Sequence, residues 1–232
     1  DGDVLTYNIT TGQWEPLPTS GGFSGDYLDL SNQPTTVDSI STMGDSLYLS
    51  NGQTFVSNTN IGSGFTHYIG EEFGGGVIFH LWLDAQGIEH GLIVDKTDLS
   101  NSQAWSNIYT TLIGPSAQST WDGLSNSNAI VGQAGHTSSA AALCLNSTNG
   151  GQSDWYLPSM DELSLLWHSR FNVNKTLSAI GGATVLPISA TYWSSTEFED
   201  MTAWGFDFVN GATDDYYYYK DYTKYVRAVR AF

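Results

Sequence analysis

The last forty-one residues of the chain, 192–232, alternate between two kinds of sequence. Residues 192–195, 203–208 and 225–232 are apolar and strand-like, and the last segment alternates as a half-buried strand does. Between them lie two segments that lack the aliphatic pattern of a core: 198–201, which is acidic with one Phe and one Met, and 214–222, which is rich in Tyr and Asp. This alternation predicts framework strands that present polar, aromatic loops.

Tyrosine is concentrated in the second of these loops, because six of the thirteen tyrosines fall within residues 216–225. Tyr offers a large, rigid and amphipathic contact at a low cost in conformational entropy, and recognition loops accumulate it for that reason. We therefore predict a ligand-binding surface on the two loops. Tyr225 is left out, because it begins the last predicted strand. The candidate residues are Phe198, Glu199, Asp200, Met201, Asp214, Asp215, Tyr216, Tyr217, Tyr218, Tyr219, Asp221 and Tyr222.

Charge and cysteine content exclude several classes of function. Seven Lys and Arg stand against twenty-four Asp and Glu, which gives a net charge of −17, and no Lys or Arg precedes Lys96. Such a field repels phosphate backbones and anionic lipid, so we expect neither a nucleic-acid nor a membrane partner. No apolar run is long enough to span a bilayer. A single cysteine, Cys144, excludes an internal disulfide and is predicted to be a buried helix residue.

No catalytic constellation stands out in the sequence. The five histidines are scattered without metal-site spacing, and the glycines at 74–76 precede a strand and lack the Lys and Ser or Thr of a phosphate loop. We therefore predict that the protein is not an enzyme and needs no cofactor. Calcium is the less favoured alternative: acidic side chains are plentiful between 197 and 221, but no calcium loop with alternating oxygen ligands is visible.

Local patterns predict the framework around these loops. A hairpin is expected over 74–95, and helices over 126–131, 137–145 and 159–168. The third helix starts with a capping box, Ser159 and Glu162. Residues 171–190 are predicted to be a loop. Trp155 and Trp193 are assigned to the core, and Arg227 and Arg230, three apart on the last strand, to structural roles on its opposite faces.

Five segments in order resemble one family. Gly-Gly-Val-Ile-Phe at 75–79, His-Gly-Leu-Ile-Val at 90–94, Asp-Trp-Tyr-Leu-Pro-Ser-Met-Asp-Glu-Leu at 154–163, Tyr-Trp-Ser-Ser-Thr-Glu at 192–197 and Val-Arg-Ala-Val-Arg at 226–230 are similar to landmarks of the DUF1566 (Lcl C-terminal-like) domain family. The resemblance covers residues 70 to 232. It implies an α+β, C-type-lectin-like fold: a small twisted antiparallel sheet with flanking helices and long loops.

That fold also resembles the variable proteins of diversity-generating retroelements. In those proteins adenine-rich codons in the C-terminal part are replaced, which leaves patches of Tyr, Asp, Phe and Ser between fixed framework residues. The loops at 198–202 and 214–222 have this composition. The resemblance therefore implies that these positions are diversified. Finding them unchanged among sibling copies from one population would contradict this hypothesis.

Residues 1–67 have a different character from residues 68–232. Short strand-like pieces at 4–7, 27–30, 46–49 and 54–56 are separated by polar turns and offer too little apolar surface for an independent core. Residues 2–14 and 23–35 resemble the repeats of phage tail-fibre shafts, in which three chains pack about one axis. We therefore predict a β-rich, fibre-like stem over 1–67 that forms a homotrimer and a lectin-like binding domain over 68–232, with a disordered linker as the alternative to the stem.

These expectations combine into a functional hypothesis. The chain is predicted to be the tip of a phage tail fibre in the virion, whose Tyr-rich and Asp-rich loops recognise a bacterial surface receptor, either protein or glycan. The alternative is a bacterial adhesin of the same domain family, exposed on the cell surface or secreted. A structural protein without a ligand is the third class.

Overall fold

The structure is a computed structural model that describes residues 5–8, 10–16, 40–43, 46–49, 54–56, 64–214 and 218–232. By its internal contacts the chain divides into two compact units, Asp1–Ser63 and Gly64–Phe232. The described part of the first unit contains strands only. They are β1 (Leu5–Asn8), β2 (Gln13–Pro16), β3 (Ile40–Met43), β4 (Ser46–Leu49) and β5 (Thr54–Val56).

In the first unit β1 and β2 form an antiparallel hairpin, and β3, β4 and β5 form a three-stranded antiparallel sheet. Three of the four strand-like pieces of the sequence correspond to β1, β4 and β5, which are therefore confirmed as strands. The fourth, 27–30, and most of the fibre-like repeats lie outside the described residues. The trimeric stem stays a prediction.

The second unit mixes helices with two small sheets. Its strands are β6 (Glu72–Phe73), β7 (Gly76–Leu83), β8 (Glu89–Asp95), β9 (Ser100–Ala104), β10 (Thr191–Glu197), β11 (Ala203–Asp207), β12 (Thr213–Asp214), β13 (Thr223–Val226) and β14 (Val229–Ala231). Its α-helices are α1 (Gly123–Val131), α2 (Ala140–Leu145) and α3 (Met160–Leu177). None of the described helices is both long enough and apolar enough to cross a membrane.

One sheet has the order β14-β8-β7-β6 and is antiparallel throughout. It contains the predicted hairpin, β7 and β8, which is confirmed. Val77 and Phe79 on β7 belong to the apolar cluster that also contains Leu163 and Leu166 of α3, whereas Ile78 belongs to a second cluster. Successive side chains of a strand point to opposite faces, so both faces of this sheet are covered and the apolar run 77–79 needs no polar interruption.

The other sheet has the order β12-β11-β10-β13-β9. Its pairs are antiparallel except β10 with β13, which run parallel. The second apolar cluster underlies it and contains three buried indoles, Trp105, Trp155 and Trp193. The core positions predicted for Trp155 and Trp193 are therefore confirmed. Cys144 on α2 is fully buried in the same cluster, as predicted, and burial raises the pKa of its thiol well above the ordinary value.

Helix α3 begins where the capping box predicts it. The Ser159 hydroxyl accepts a hydrogen bond from the Glu162 backbone N–H, and the Glu162 carboxylate accepts one from the Ser159 N–H. The prediction that it ends at His168 and that 171–190 is a loop is wrong for the first seven residues, because the helix continues to Leu177. Val173 and Leu177, four residues apart, extend the buried stripe into the core. Their polar neighbours hid this stripe in the sequence.

A single strand over 225–232 is also wrong. The chain leaves the five-stranded sheet after Val226 and joins the four-stranded sheet at Val229. Arg227 lies at the break with a fully buried side chain, and its guanidinium donates to the carbonyl oxygens of Asp95 (2.8 Å) and Thr184 (2.7 Å). These hydrogen bonds fix the backbone where the chain passes from one sheet to the other.

Arg227 at the break and Arg230 in β14 both make structural contacts, as predicted. Arg227 Nη1 also lies 3.0 Å from Asp98 Oδ1, and Arg230 holds the carboxylate of Asp154 with two N–H···O bonds of 2.7 and 2.8 Å. Their placement on opposite faces of one regular strand is not observed, because they belong to different segments. They tie the final strands to loops that are far away in sequence.

Candidate ligand-binding site

A buried ion pair lies beneath the predicted recognition loops. The side chains of Lys220 and Glu197 are both fully buried, and Lys220 Nζ lies 2.6 Å from Glu197 Oε1. The ammonium also lies 5.0 Å from the ring centroid of the buried Trp105. A charge at such depth is stable only when it is paired and its remaining hydrogen-bonding capacity is used. The other contacts of these two residues therefore define the site.

The Glu197 carboxylate is the acceptor that ties down the loop before the short 3-10 helix Pro115–Ala117. It accepts hydrogen bonds from the backbone N–H groups of Ile113 (2.9 Å) and Gly114 (2.7 Å). Gly114 has φ 86° and ψ −153°, a region that only glycine occupies readily. A side chain here would strain the turn that aims both N–H groups at the carboxylate.

The Lys220 ammonium connects the same loop to the loop at 198–202. It donates to the carbonyl oxygen of Asp200 (2.8 Å) and lies 3.4 Å from that of Thr111. Burial lowers the pKa of this ammonium, and the hydrogen bond and charge of Glu197 act in the opposite direction. We name the pair and its four backbone partners, Thr111, Ile113, Gly114 and Asp200, the loop hub.

Backbone hydrogen bonds complete the connection between the two C-terminal loops. Lys220 N–H donates to the Met201 carbonyl (2.9 Å), Ala203 N–H to the Tyr218 carbonyl (3.1 Å), and Thr202 forms an isolated bridge with Tyr219. On the other side Trp105 N–H donates to the Lys220 carbonyl (2.9 Å). The loops at 198–202 and 218–222 thus lie side by side.

Five exposed side chains, four from these loops and Tyr109 from the segment before Ile113, surround a shallow depression of about 240 Å³, which we name the aromatic pocket. Its rings include Tyr219 and Tyr222, whose centroids are 5.4 Å apart at 62°. Every lining side chain that is apolar or aromatic is between 39% and 51% exposed, although such groups are usually buried. The lining residues are Tyr109, Met201, Tyr219, Asp221 and Tyr222.

Other predicted residues lie beside the pocket rather than in it. Phe198 is partly exposed and packs edge-on against Trp204, with centroids 5.2 Å apart. Glu199 and Asp200 are exposed, and Asp200 contributes its backbone carbonyl to the hub. They form an acidic rim next to Met201.

The second predicted loop divides into three parts. Asp214 belongs to β12, where it pairs with Gly205, and Asp215, Tyr216 and Tyr217 lie outside the described residues. Tyr218 is half-buried: its ring packs edge-on against Trp193 (6.2 Å), and the Lys224 ammonium lies 3.6 Å from its centroid. The structure therefore brings Met201, Tyr219, Asp221 and Tyr222 together and places Tyr218 against the scaffold.

A family profile matches most of the second unit. The profile of the Lcl C-terminal domain matches residues 96–230, more than half of the chain. The chain belongs to the Lcl C-terminal domain family. The matched span includes the loop hub and the whole aromatic pocket. The landmark segments at 75–79 and 90–94 precede it, although they belong to the same sheet as β14 from its end: β8 pairs with β14, and β7 pairs with β8.

A crystal structure of a fimbrial protein from Bacteroides ovatus is similar in fold, with a TM-score of 0.54 and 18% sequence identity. The similarity covers 81% of this chain and 48% of the fimbrial protein, so this chain corresponds to about half of that protein's length. No curated protein sequence matches significantly. At this identity the similarity concerns the fold alone.

Two residues of the Lcl C-terminal domain site were missed by sequence reasoning. Tyr109 is separated from the other pocket residues by more than ninety positions, and nothing near it marks a recognition loop. Lys220 stands inside the run 214–222 as its single cation. A lone Lys among acidic and aromatic residues was a usable signal, because such a residue needs a partner wherever it becomes buried.

Two concavities larger than the aromatic pocket contain none of the predicted residues. A cleft of about 470 Å³ lies between Trp82 and Trp121, but its carboxylates already act as structural acceptors: Asp122 caps α1, and Glu162 belongs to the capping box. A groove of about 890 Å³ runs beside α3 and is lined mainly by apolar groups. Within the described part of the chain, no group of three His, Cys, Asp or Glu side chains is placed to hold a metal ion.

Proposed function

We propose that the Lcl C-terminal domain of this protein is a recognition module that binds a molecule on a cell surface through the aromatic pocket and its acidic rim. One observation carries the proposal. The chain buries a complete ion pair, the costly way to hold a loop, directly beneath a set of exposed aromatic side chains that contribute little to the core. Rigid aromatic anchors on a supported loop are typical of binding surfaces.

Binding rather than catalysis is favoured by the chemistry of the pocket. Its side chains are three tyrosines, a methionine and one carboxylate, without a nucleophile and base in hydrogen-bond contact. Such a set supplies contact area and hydrogen bonds. We therefore keep the hypothesis of a non-enzymatic, cofactor-free binding protein, with glycan and protein as the ligand classes.

The setting of the module has two candidates. The first is the tip of a phage tail fibre, supported by the fibre-like repeats of residues 2–35 and by the Tyr and Asp composition of the loops. The second is a bacterial adhesin at the cell surface, and the similarity of fold to a fimbrial protein favours it. The C-type-lectin-like architecture and retroelement diversification belong to this proposal as well. Tail-assembly genes beside the coding sequence would support the first setting, and fimbrial assembly genes the second.

A homotrimeric stem would increase the apparent affinity of the module for a cell surface in either setting. Three modules on one stem convert weak single-site binding into avid binding, because the second and third contacts form within one complex. Sedimentation equilibrium of the full chain tests the stem. A trimer mass supports it, and a monomer mass across the measured concentrations contradicts it.

Cell adsorption tests the function. The labelled full chain should bind to a subset of a panel of bacterial strains, and the double variant Tyr219→Ser, Tyr222→Ser should lose that binding. Tyr68→Ser is the matched control, because Tyr68 is 67% exposed and lies outside the pocket. Equal adsorption by the double variant and the control on every strain that the native chain binds would overturn the proposal.

A further inference from the structure

The aromatic pocket has an unusual composition for a general contact surface. Three phenol rings and a thioether line it together with one carboxylate, Asp221, and no amide, Lys, Arg or His is among its lining residues. The face of an aromatic ring carries negative electrostatic potential, so it attracts cations, and a carboxylate beside it strengthens that attraction. The pocket thus presents aromatic rings and a negative charge and no positive group.

The surroundings of the pocket have the same sign. Glu199, Asp200 and Asp221 are exposed, and the whole chain carries a net charge of −17. Lys220 does not offset them at the surface, because its side chain is fully buried and its ammonium is directed to Glu197 and to backbone carbonyls. The second nearby cation, Lys224, is half-buried against Tyr218. Three exposed carboxylates against one partly buried ammonium leave the surroundings of the pocket negative, which favours a cationic ligand.

The chain repeatedly places its own cations on aromatic rings. The ammonium of Lys224 lies 3.6 Å from the centroid of Tyr218, and the guanidinium carbon of Arg170 lies 3.9 Å from that of Trp167. Both distances are within the range at which such contacts are attractive. In the pocket, the partly exposed rings of Tyr109, Tyr219 and Tyr222 are available to a cation from outside.

We propose that the aromatic pocket binds a cationic group of the ligand, a substituted ammonium or a guanidinium, against the rings of Tyr109, Tyr219 and Tyr222 that line it and beside the carboxylate of Asp221. This inference rests on the proposed function and adds the chemical class of the ligand. A volume of about 240 Å³ accommodates one such head group rather than an extended chain. The group has two sources, a quaternary ammonium head group or an Arg or Lys side chain on a partner protein.

A pair of probes isolates the contribution of the charge. Choline and 3,3-dimethylbutan-1-ol have nearly the same shape, but only choline is charged. Saturation-transfer NMR titrations of both with the full chain should show choline binding at least about fivefold more tightly. Arginine amide in a third titration distinguishes the sources: tighter binding of choline favours a quaternary head group, and tighter binding of arginine amide favours a protein side chain.

Variants then locate the binding. Tyr222→Ala should weaken choline binding about 3- to 30-fold, whereas Tyr222→Phe, which keeps the ring, should stay within about twofold of the native chain. Asp221→Asn should weaken it too, and Tyr68→Ala should not. The inference is overturned if the isostere binds as well as choline, if neither cation binds, or if Tyr68→Ala weakens binding as much as Tyr222→Ala. The probe comparison uses the native chain and so does not depend on how any variant folds.

Adsorption and probe binding fail independently. Loss of adsorption in the tyrosine double variant without any cation binding leaves the recognition function standing and removes its cationic ligand. Cation binding with unchanged adsorption of the double variant leaves a cation site and contradicts the recognition function.

Discussion

The second unit contains two fully buried cationic side chains, Lys220 and Arg227, and each is paired with a carboxylate. Lys220 lies under the recognition loops and pairs with Glu197, which is also fully buried. Arg227 lies where the chain changes sheets and pairs with Asp98, whose side chain is still 13% exposed. Each cation gathers backbone carbonyls from segments that are distant in sequence. Buried charge serves here to hold irregular backbone in place, once beneath a candidate site and once within the scaffold.

The comparison also shows what differs. Asp98 retains a second donor, the Tyr192 hydroxyl at 2.9 Å, if the arginine is removed. Glu197 retains two backbone donors, but no part of its side chain reaches solvent. Breaking a buried pair costs more when the remaining charge has no access to water. Removing Lys220 should therefore destabilise the fold more than removing Arg227.

The largest effect is expected for Lys220→Met. It leaves the Glu197 carboxylate buried without its cation, and we expect a loss of about 3–5 kcal/mol in the free energy of unfolding. Urea denaturation followed by near-ultraviolet circular dichroism measures it. The double variant Lys220→Met, Glu197→Gln should recover a large part of that loss, because it removes the orphaned charge. A double variant no more stable than the single variant would break the interpretation of the hub.

Arg227→Met should cost less, about 2–3 kcal/mol. Burial raises the pKa of Asp98. The positive charge of Arg227 lowers this pKa, but by less than burial raises it. A carboxyl whose folded pKa is raised holds its proton more tightly in the fold, so its contribution falls as pH rises above the ordinary aspartate value. Without Arg227 the pKa of Asp98 rises further, so the loss of stability between acidic and neutral pH becomes larger. The variant should therefore be less destabilised at pH 4.5 than at pH 7.5 when both are measured against the native chain, and a pH-independent difference would contradict the role of Asp98.

Ser159→Ala tests a helix cap, a local interaction, for comparison with the two buried ion pairs between distant residues. It removes the acceptor of the capping box at the start of α3. We expect a loss of about 1 kcal/mol in the free energy of unfolding, measured in the same urea titration. Ser178→Ala, at the exposed other end of α3, should stay within about 0.5 kcal/mol of the native chain. A loss for Ser159→Ala as large as that for Arg227→Met would remove the distinction between local caps and buried ion pairs.

The smallest effect on stability is expected for Tyr219→Ser combined with Tyr222→Ser. Both side chains are partly exposed, 39% and 51%, and lie above the hub rather than within it. The double variant should keep its free energy of unfolding within about 1 kcal/mol while it loses adsorption. Thermal unfolding by circular dichroism checks this. A loss comparable to that of Lys220→Met would show that the tyrosines support the fold.

Much of the framework was predictable, because its signals are local. Ser159 and Glu162 mark a helix start through two reciprocal hydrogen bonds within one turn, and the hairpin of β7 and β8 follows from two apolar runs and a short turn. The apolar pattern of the family segments placed Trp155 and Trp193 in the core, where they lie. The continuation of α3 to Leu177 escaped prediction, since only its packing shows that Val173 and Leu177 face the core.

The candidate site was predictable in part. Composition pointed to Met201, Tyr219, Asp221 and Tyr222, which line one pocket, but also to Tyr218, whose half-buried ring packs on the scaffold. Tyr109 joins them from a distant segment, in which Ile113 and Gly114 donate to Glu197. No spacing in the sequence records that contact.

Features that depend on residues close in sequence were predictable, and features that depend on residues distant in sequence were not. Caps, turns and strand alternation depend on residues a few positions apart, and the chain specifies them wherever it folds. The partner of Lys220 lies twenty-three positions away and that of Arg227 more than one hundred. Which cations become buried depends on the packing of whole sheets and helices, since burial is what makes pairing obligatory. The composition of the two loops is therefore visible in the sequence and carries the prediction of a recognition surface, but the hub that holds them together arises only in the folded protein.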